Sequence, residues 1–178
     1  MDHALEQLNS LSADEALPEL LKCCGSENWA RRMEHERPFA NQAELLNKAD
    51  SIWWSLEAFD WLAAFHSHPK IGEQKAAAKV AVQAQSWSAA EQAGTRDARE
   101  TTMLQLAEGN RQYEQRFGYI FIVCASGKTA DEMLAILRER LGNEPDKELR
   151  VAAEEQRKIT QLRLNKLVEE SRVVSLES

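Results

Sequence analysis

The chain has 178 residues, 43% hydrophobic and 29% charged, which is ordinary globular composition rather than that of a disordered chain. Its 22 basic and 29 acidic residues leave a net charge of −7, which argues against a nucleic-acid footprint, since that needs clustered positive charge. No run of about 18 apolar residues occurs, so no membrane span is expected.

Only seven glycines and four prolines punctuate a pattern that is helical almost throughout. Met1 to Asn9 predicts a short first helix. Ser12 to Glu15 reads as a capping box, opening a helix that runs to Cys23 or Cys24 and stops at Gly25. Glu27 to His35 predicts another short helix, with Trp29 and Met33 on one face. Arg37-Pro38-Phe39 breaks the chain, and Asn41 caps the next helix. Leu45, Leu46, Ala49, Ile52, Trp53, Leu56, Phe59, Leu62 and Phe65 recur at three- and four-residue steps, predicting a core helix, straight or bent. Four of the five tryptophans lie between positions 29 and 61, a pattern of core or dimer interface.

His66-Ser67-His68-Pro69-Lys70-Ile71-Gly72-Glu73 comes next. Proline disfavours the α region for the residue before it, so His68 is expected at or just past a helix end. The glycine permits unusual dihedrals, and the whole predicts a rigid loop presenting an imidazole. Histidine is the side chain best suited to proton transfer near neutral pH. The plain alternative is a helix stop with incidental histidines.

Glu73 to Gln85 is alanine-rich and helical in pattern. Ser88 opens a long helix that carries Glu91 at its third position and ends at Gly118. Tyr119 to Ala125 is an apolar, β-prone run, yet a lone strand has no ladder partner in so helical a chain. An extended core segment is therefore predicted there. Thr129 and Glu132 form a second capping box on a helix ending near Gly142, and Pro145 leads the last helix. The fold class is all-α: one domain over residues 1–178, of about seven to nine helices.

The histidine pair invites a metal reading. Such a pair shares a metal best on a strand, where i and i+2 point the same way, but the residues before it read as helix. No third ligand is positioned by sequence, so no metal is expected. Ser88 and Glu91 have a plain explanation as a cap. The same helix end could instead hold a ligand, where the dipole favours an ionised Glu91 that accepts hydrogen bonds from amide or ureido groups. Gln92 adds a donor and an acceptor. Arg157 and Arg163 lie among apolar residues of the last helix, and spacing does not choose between them as a carboxylate fork.

Cys23, Cys24 and Cys124 have no zinc spacing and are odd in number, so a reducing compartment is expected. Met1-Asp2-His3-Ala4 shows no apolar signal core, and Val174-Ser175-Leu176-Glu177-Ser178 is not a Ser-Lys-Leu tail. These features point to the cytoplasm.

The segments together resemble the OHCU decarboxylase family, which acts on 2-oxo-4-hydroxy-4-carboxy-5-ureidoimidazoline (OHCU) in urate catabolism. The resemblance is carried by Arg37-Pro38-Phe39, the His66–Glu73 loop, Ser88-Ala89-Ala90-Glu91-Gln92, Phe117 to Val123, and Ile159-Thr160-Gln161-Leu162-Arg163-Leu164. It implies that His68 is the catalytic histidine, Glu91 a second catalytic or binding residue, and Arg163 the substrate-holding arginine. Pro69, Ser88 and Gln92 would line the pocket, with the backbone of Ile120, Phe121, Ile122 and Val123. The implied reaction is decarboxylation to S-allantoin without a cofactor, in a homodimer. The rival readings are a non-catalytic helical interaction module and a metal-dependent amidohydrolase-like enzyme using His66 and His68.

Overall fold

The structure, a computed structural model, describes residues 3–68 and 89–174, with side chains over 5–68 and 99–169. Pro69, Ser88 and the alanine-rich stretch lie outside the described residues. Among those described there are eight helices: α1 His3–Ser10, α2 Ala13–Cys23, α3 Glu27–His35, α4 Gln42–Trp54, α5 Ala58–His66, α6 Ala89–Phe117, α7 Ala130–Arg140 and α8 Pro145–Val174. No strand occurs among them, and 120–125 is neither helix nor strand, with Phe121 to Cys124 buried. The chain forms two compact units. One comprises residues up to Ser67 together with Ala153 onward, the other His68–Ala152.

In the first unit α3 packs against α2, α4 and α5. Ser12 and Glu15 complete the predicted capping box at the start of α2. This matters because the first backbone N–H groups of a helix have no intrahelical acceptor. Ser26 caps α3, accepting from the Trp29 N–H at 3.3 Å. The fully buried Trp29 indole donates to Ala49 O at 3.1 Å, and Trp53 donates to Ala153 O at 3.0 Å, so α3, α4 and α8 are tied by buried indoles. Fully burying a large apolar side chain contributes about 1.5–3 kcal/mol, so these tryptophans dominate the core. Arg37, in the chain break, donates to Leu8 O at 2.8 Å and Leu11 O at 2.7 Å, holding the carbonyl end of α1.

The predicted core helix over 45–65 is two helices, α4 and α5. Ser55 ends α4 by turning its hydroxyl back onto Ile52 O at 2.7 Å, while Glu57 is extended. The Trp61 indole then donates to Trp53 O at 3.0 Å, packing α5 back against α4. Apolar spacing continues across the corner because both helices face one core.

In the second unit α6 packs along α7. Gly118 stops α6 at φ +80°, a conformation costly for residues with a Cβ, and its N–H reaches Glu114 O at 2.8 Å. Thr129 and Glu132 form the predicted second capping box, and α7 ends at Arg140. Against the 120–125 segment lies a buried charged cluster. Arg140 donates through Nε to Glu148 Oε1 at 2.7 Å and through Nη1 to Ile122 O at 2.7 Å. Glu148 also accepts from the Tyr113 hydroxyl and from Asn143 at 2.7 Å. Arg140 and Glu148 are in effect fully desolvated, with side-chain exposures of 6% and 0%.

Candidate active site

The end of α5 presents the histidine pair. Ser67 is the C-cap, its N–H and hydroxyl both bonded to Ala64 O, at 3.2 and 2.7 Å. His66 ends the helix, exposed, with Nδ1 2.7 Å from Leu62 O. A carbonyl only accepts, so Nδ1 carries the proton and the ring is oriented along its own helix. His68 follows the cap and is partly buried, past the helix end as the proline rule predicts. Among the described residues no group of three or more His, Cys, Asp or Glu is placed to hold a metal.

Glu91 and Gln92 lie by backbone on the first turn of α6; their side chains lie outside the described residues, as do Pro69 and Ser88. Ile120, Phe121, Ile122 and Val123 run consecutively outside any helix or strand. Phe121, Ile122 and Val123 are buried as whole residues. Arg140 anchors this stretch through Ile122 O, and its guanidinium carbon sits 4.6 Å from the Phe121 ring centroid.

The two arginines that spacing leaves equivalent have different surroundings. Arg157 donates to Glu154 at 2.9 and 2.8 Å and to Asp50 at 2.9 Å, and these carboxylates raise its pKa, Glu154 first. Its fork is consumed within the first unit. Arg163 instead donates through Nη1 to Lys22 O at 3.3 Å and, marginally, to Cys23 O at 3.5 Å. These are the last carbonyls of α2, where the helix dipole favours a cation. Among the described residues these partners are carbonyls and not carboxylates, unlike those of Arg157. Burial pushes the neighbouring Cys23 thiol up to about 12, with Arg163 opposing the shift. At neutral pH that thiol therefore stays protonated.

His68, the turn bearing Glu91 and Gln92, and the 120–123 stretch belong to the second unit, and Arg163 to the first. Neither Arg140 nor Glu148 stands out in the sequence. Eight residues apart on different helices, they read as surface charges, and only the fold, which buries both side chains against each other, reveals the pair.

The family model described as OHCU decarboxylase matches residues 9–165, running through both units. The chain belongs to the OHCU decarboxylase family. It is similar to the uric acid degradation bifunctional protein TTL of Arabidopsis thaliana, 40% identical over 161 residues, covering 86% of this chain and 48% of that protein. The chain thus spans about half the length of that relative. It is also similar to the 2-oxo-4-hydroxy-4-carboxy-5-ureidoimidazoline decarboxylase of Amia calva, at 31% identity over 171 residues, covering 93% of this chain and 94% of that protein. Among solved structures, it resembles an OHCU decarboxylase crystallised in the presence of (S)-allantoin. That match has a TM-score of 0.69 and 39% identity, covering 85% of this chain and 97% of the other.

Proposed function

We propose that this chain decarboxylates OHCU to S-allantoin and CO2 in urate degradation, without a cofactor. The observation that carries the reading is the OHCU decarboxylase match over residues 9–165. In this substrate the carbon bearing the carboxylate adjoins a carbon–nitrogen double bond. As the bond to the carboxylate breaks, its electron pair moves toward that double bond, whose nitrogen takes a proton. The product of this step is an enol. Loss of the enol proton and protonation of the ureido-bearing carbon from one face then give S-allantoin.

The protein's share is orientation, charge stabilisation and proton management. His68 exchanges a proton with the hydroxyl or the enol. Glu91 orients His68 or holds the ureido group. Arg163 holds an anionic oxygen, and its lack of a described carboxylate partner supports choosing it over Arg157. Ser88, Gln92, Pro69 and the backbone of Ile120 to Val123 line the pocket, and residues 1–178 serve as a single OHCU decarboxylase-like domain.

The test supplies OHCU freshly made from urate by urate oxidase and hydroxyisourate hydrolase, and follows circular dichroism. Spontaneous decay gives racemic allantoin, so a chiral signal reports catalysis. Fast decay to S-allantoin is expected. A general acid–base group is typically worth about 10²–10⁴-fold, so His68→Ala should lose most of the rate. His68→Asn should do the same, because an amide hydrogen-bonds without shuttling protons. No acceleration over spontaneous decay, or a racemic product, rules the activity out.

The chain is further proposed to act as a homodimer in the cytoplasm. Trp54 and Phe59 are exposed at 42% and 67%, a surface suited to an apolar interface core. Only monomer in light scattering at micromolar concentration would contradict the dimer. No helix among the described residues is long and apolar enough to cross a membrane.

A further inference from the structure

The short junction after α2 touches two parts of the proposed machinery at once. Lys22 O and Cys23 O hold the Arg163 guanidinium, at 3.3 and 3.5 Å. Two residues further on, Gly25 lies against the end of α5. A Cβ placed on Gly25 would stand 2.3 Å from Ser67 Oγ, 2.4 Å from Ser67 Cβ and 3.7 Å from Ala64 Cα. Real Cβ atoms do not approach so closely. Ser67 has little room to yield, because its Cβ is fixed to the backbone and its hydroxyl is bonded to Ala64 O. Ser67 is covalently joined to His68. The junction Cys23–Gly25 therefore braces Arg163 on one side and the residue that carries His68 on the other.

We propose that Gly25 is a positioning residue, whose missing side chain sets the spacing between the Arg163 guanidinium and the Ser67 cap from which His68 extends. This inference rests on the reading of His68 and Arg163 as reacting and binding residues. It also explains why a helix that Cys24 already ends, in an extended conformation, is followed by glycine. The helix stop itself does not require the absence of a Cβ, whereas the close approach to Ser67 does.

Gly25→Ala should push the α5 end away. A misplacement of about 1 Å at reacting groups can cost about 10²-fold, so kcat on OHCU should fall toward that extent while KM changes far less. Ser67→Gly removes both atoms that the new methyl would strike. In Gly25→Ala/Ser67→Gly it should restore most of the rate lost in Gly25→Ala. A merely structural glycine would lower the thermal midpoint but leave kcat of the folded enzyme unchanged.

The His68 imidazole resonance in carbon–proton correlation spectra supplies a readout independent of turnover. It should shift in Gly25→Ala and return in the double variant. If wild type does not turn over OHCU, the functional reading fails while this resonance still tests the bracing. Wild-type kcat or an unmoved His68 resonance in Gly25→Ala overturns the inference. So does a double variant no better than the single one. If Gly25→Ala does not fold, an active, folded double variant supports the proposal and an unfolded one refutes it.

Discussion

Arg140→Met tests whether the second unit depends on its buried charges. Arg140 supplies two contacts to Glu148, at 2.7 Å through Nε and 2.6 Å through Nη2, and one to Ile122 O at 2.7 Å. Methionine keeps much of the stem's packing and removes every one of these. Glu148 would keep Tyr113 and Asn143 as donors but lose its counter-charge at full burial. Breaking a buried pair by removing one partner costs about 3–5 kcal/mol. Orphaning the Ile122 carbonyl adds about 1–3 kcal/mol, partly overlapping the first cost. A loss of about 4 kcal/mol is expected, which leaves a domain of typical stability folded but marginal. Arg140→Met/Glu148→Leu removes both charges and should cost less than Arg140→Met alone, because no uncompensated charge stays buried. Urea unfolding should be followed by far-UV circular dichroism, since the described tryptophans all lie in the first unit. A loss below about 1 kcal/mol for Arg140→Met, the range of surface pairs, would refute the reasoning. Strict additivity in the double variant would refute it too.

The arginines of α8 should separate in kinetics: Arg163→Lys raises KM for OHCU because an ammonium lacks the planar fork, whereas Arg157→Ala lowers stability and spares KM. Equal KM effects would contradict the pairing of Arg157 with Asp50 and Glu154. His66→Ala should change the rate little, since its Nδ1 is spent on Leu62 O; a dead His66→Ala beside an active, folded His68→Ala reverses their roles. Burial pushes Cys23 up to about 12 and Cys24 to about 11, from an ordinary 9.0. The unfolded chain therefore loses these protons first. Stability is full below pH 9.0 and should fall from there toward pH 11 to 12. Each thiol contributes a slope of about 1.4 kcal/mol per pH unit. Urea midpoints across that range should drop less steeply in Cys23→Ala and Cys24→Ala; a flat wild-type profile would contradict the burial.

Local chemistry was legible because it is written in adjacent residues. Ser12 with Glu15, Thr129 with Glu132, and Asn41 each satisfy orphan N–H groups within their own helix, so spacing alone places them. The corner between α4 and α5 was not legible, because the apolar pattern records which core a residue faces and not whether the axis turns. The Ser55 hydroxyl breaks the helix by reaching back to Ile52 O, and the return of Trp61 to Trp53 O stabilises the turn.

The site divides along the same line. A proline after His68 constrains the backbone locally, and the structure does place His68 past the helix end. The choice between Arg157 and Arg163 depends on partners far away in sequence. Asp50, 107 residues before Arg157, takes up its charge, while Arg163 reaches back to α2 carbonyls 140 and 141 residues earlier. No window of the last helix contains that information. The physical difference is nonetheless large, because a guanidinium already forked onto two carboxylates must give them up to bind a third. One held by backbone carbonyls at the end of a helix is oriented and still carries its charge. What separates the two arginines as candidates for an anionic substrate is therefore the pair of carboxylates that Arg157 already holds.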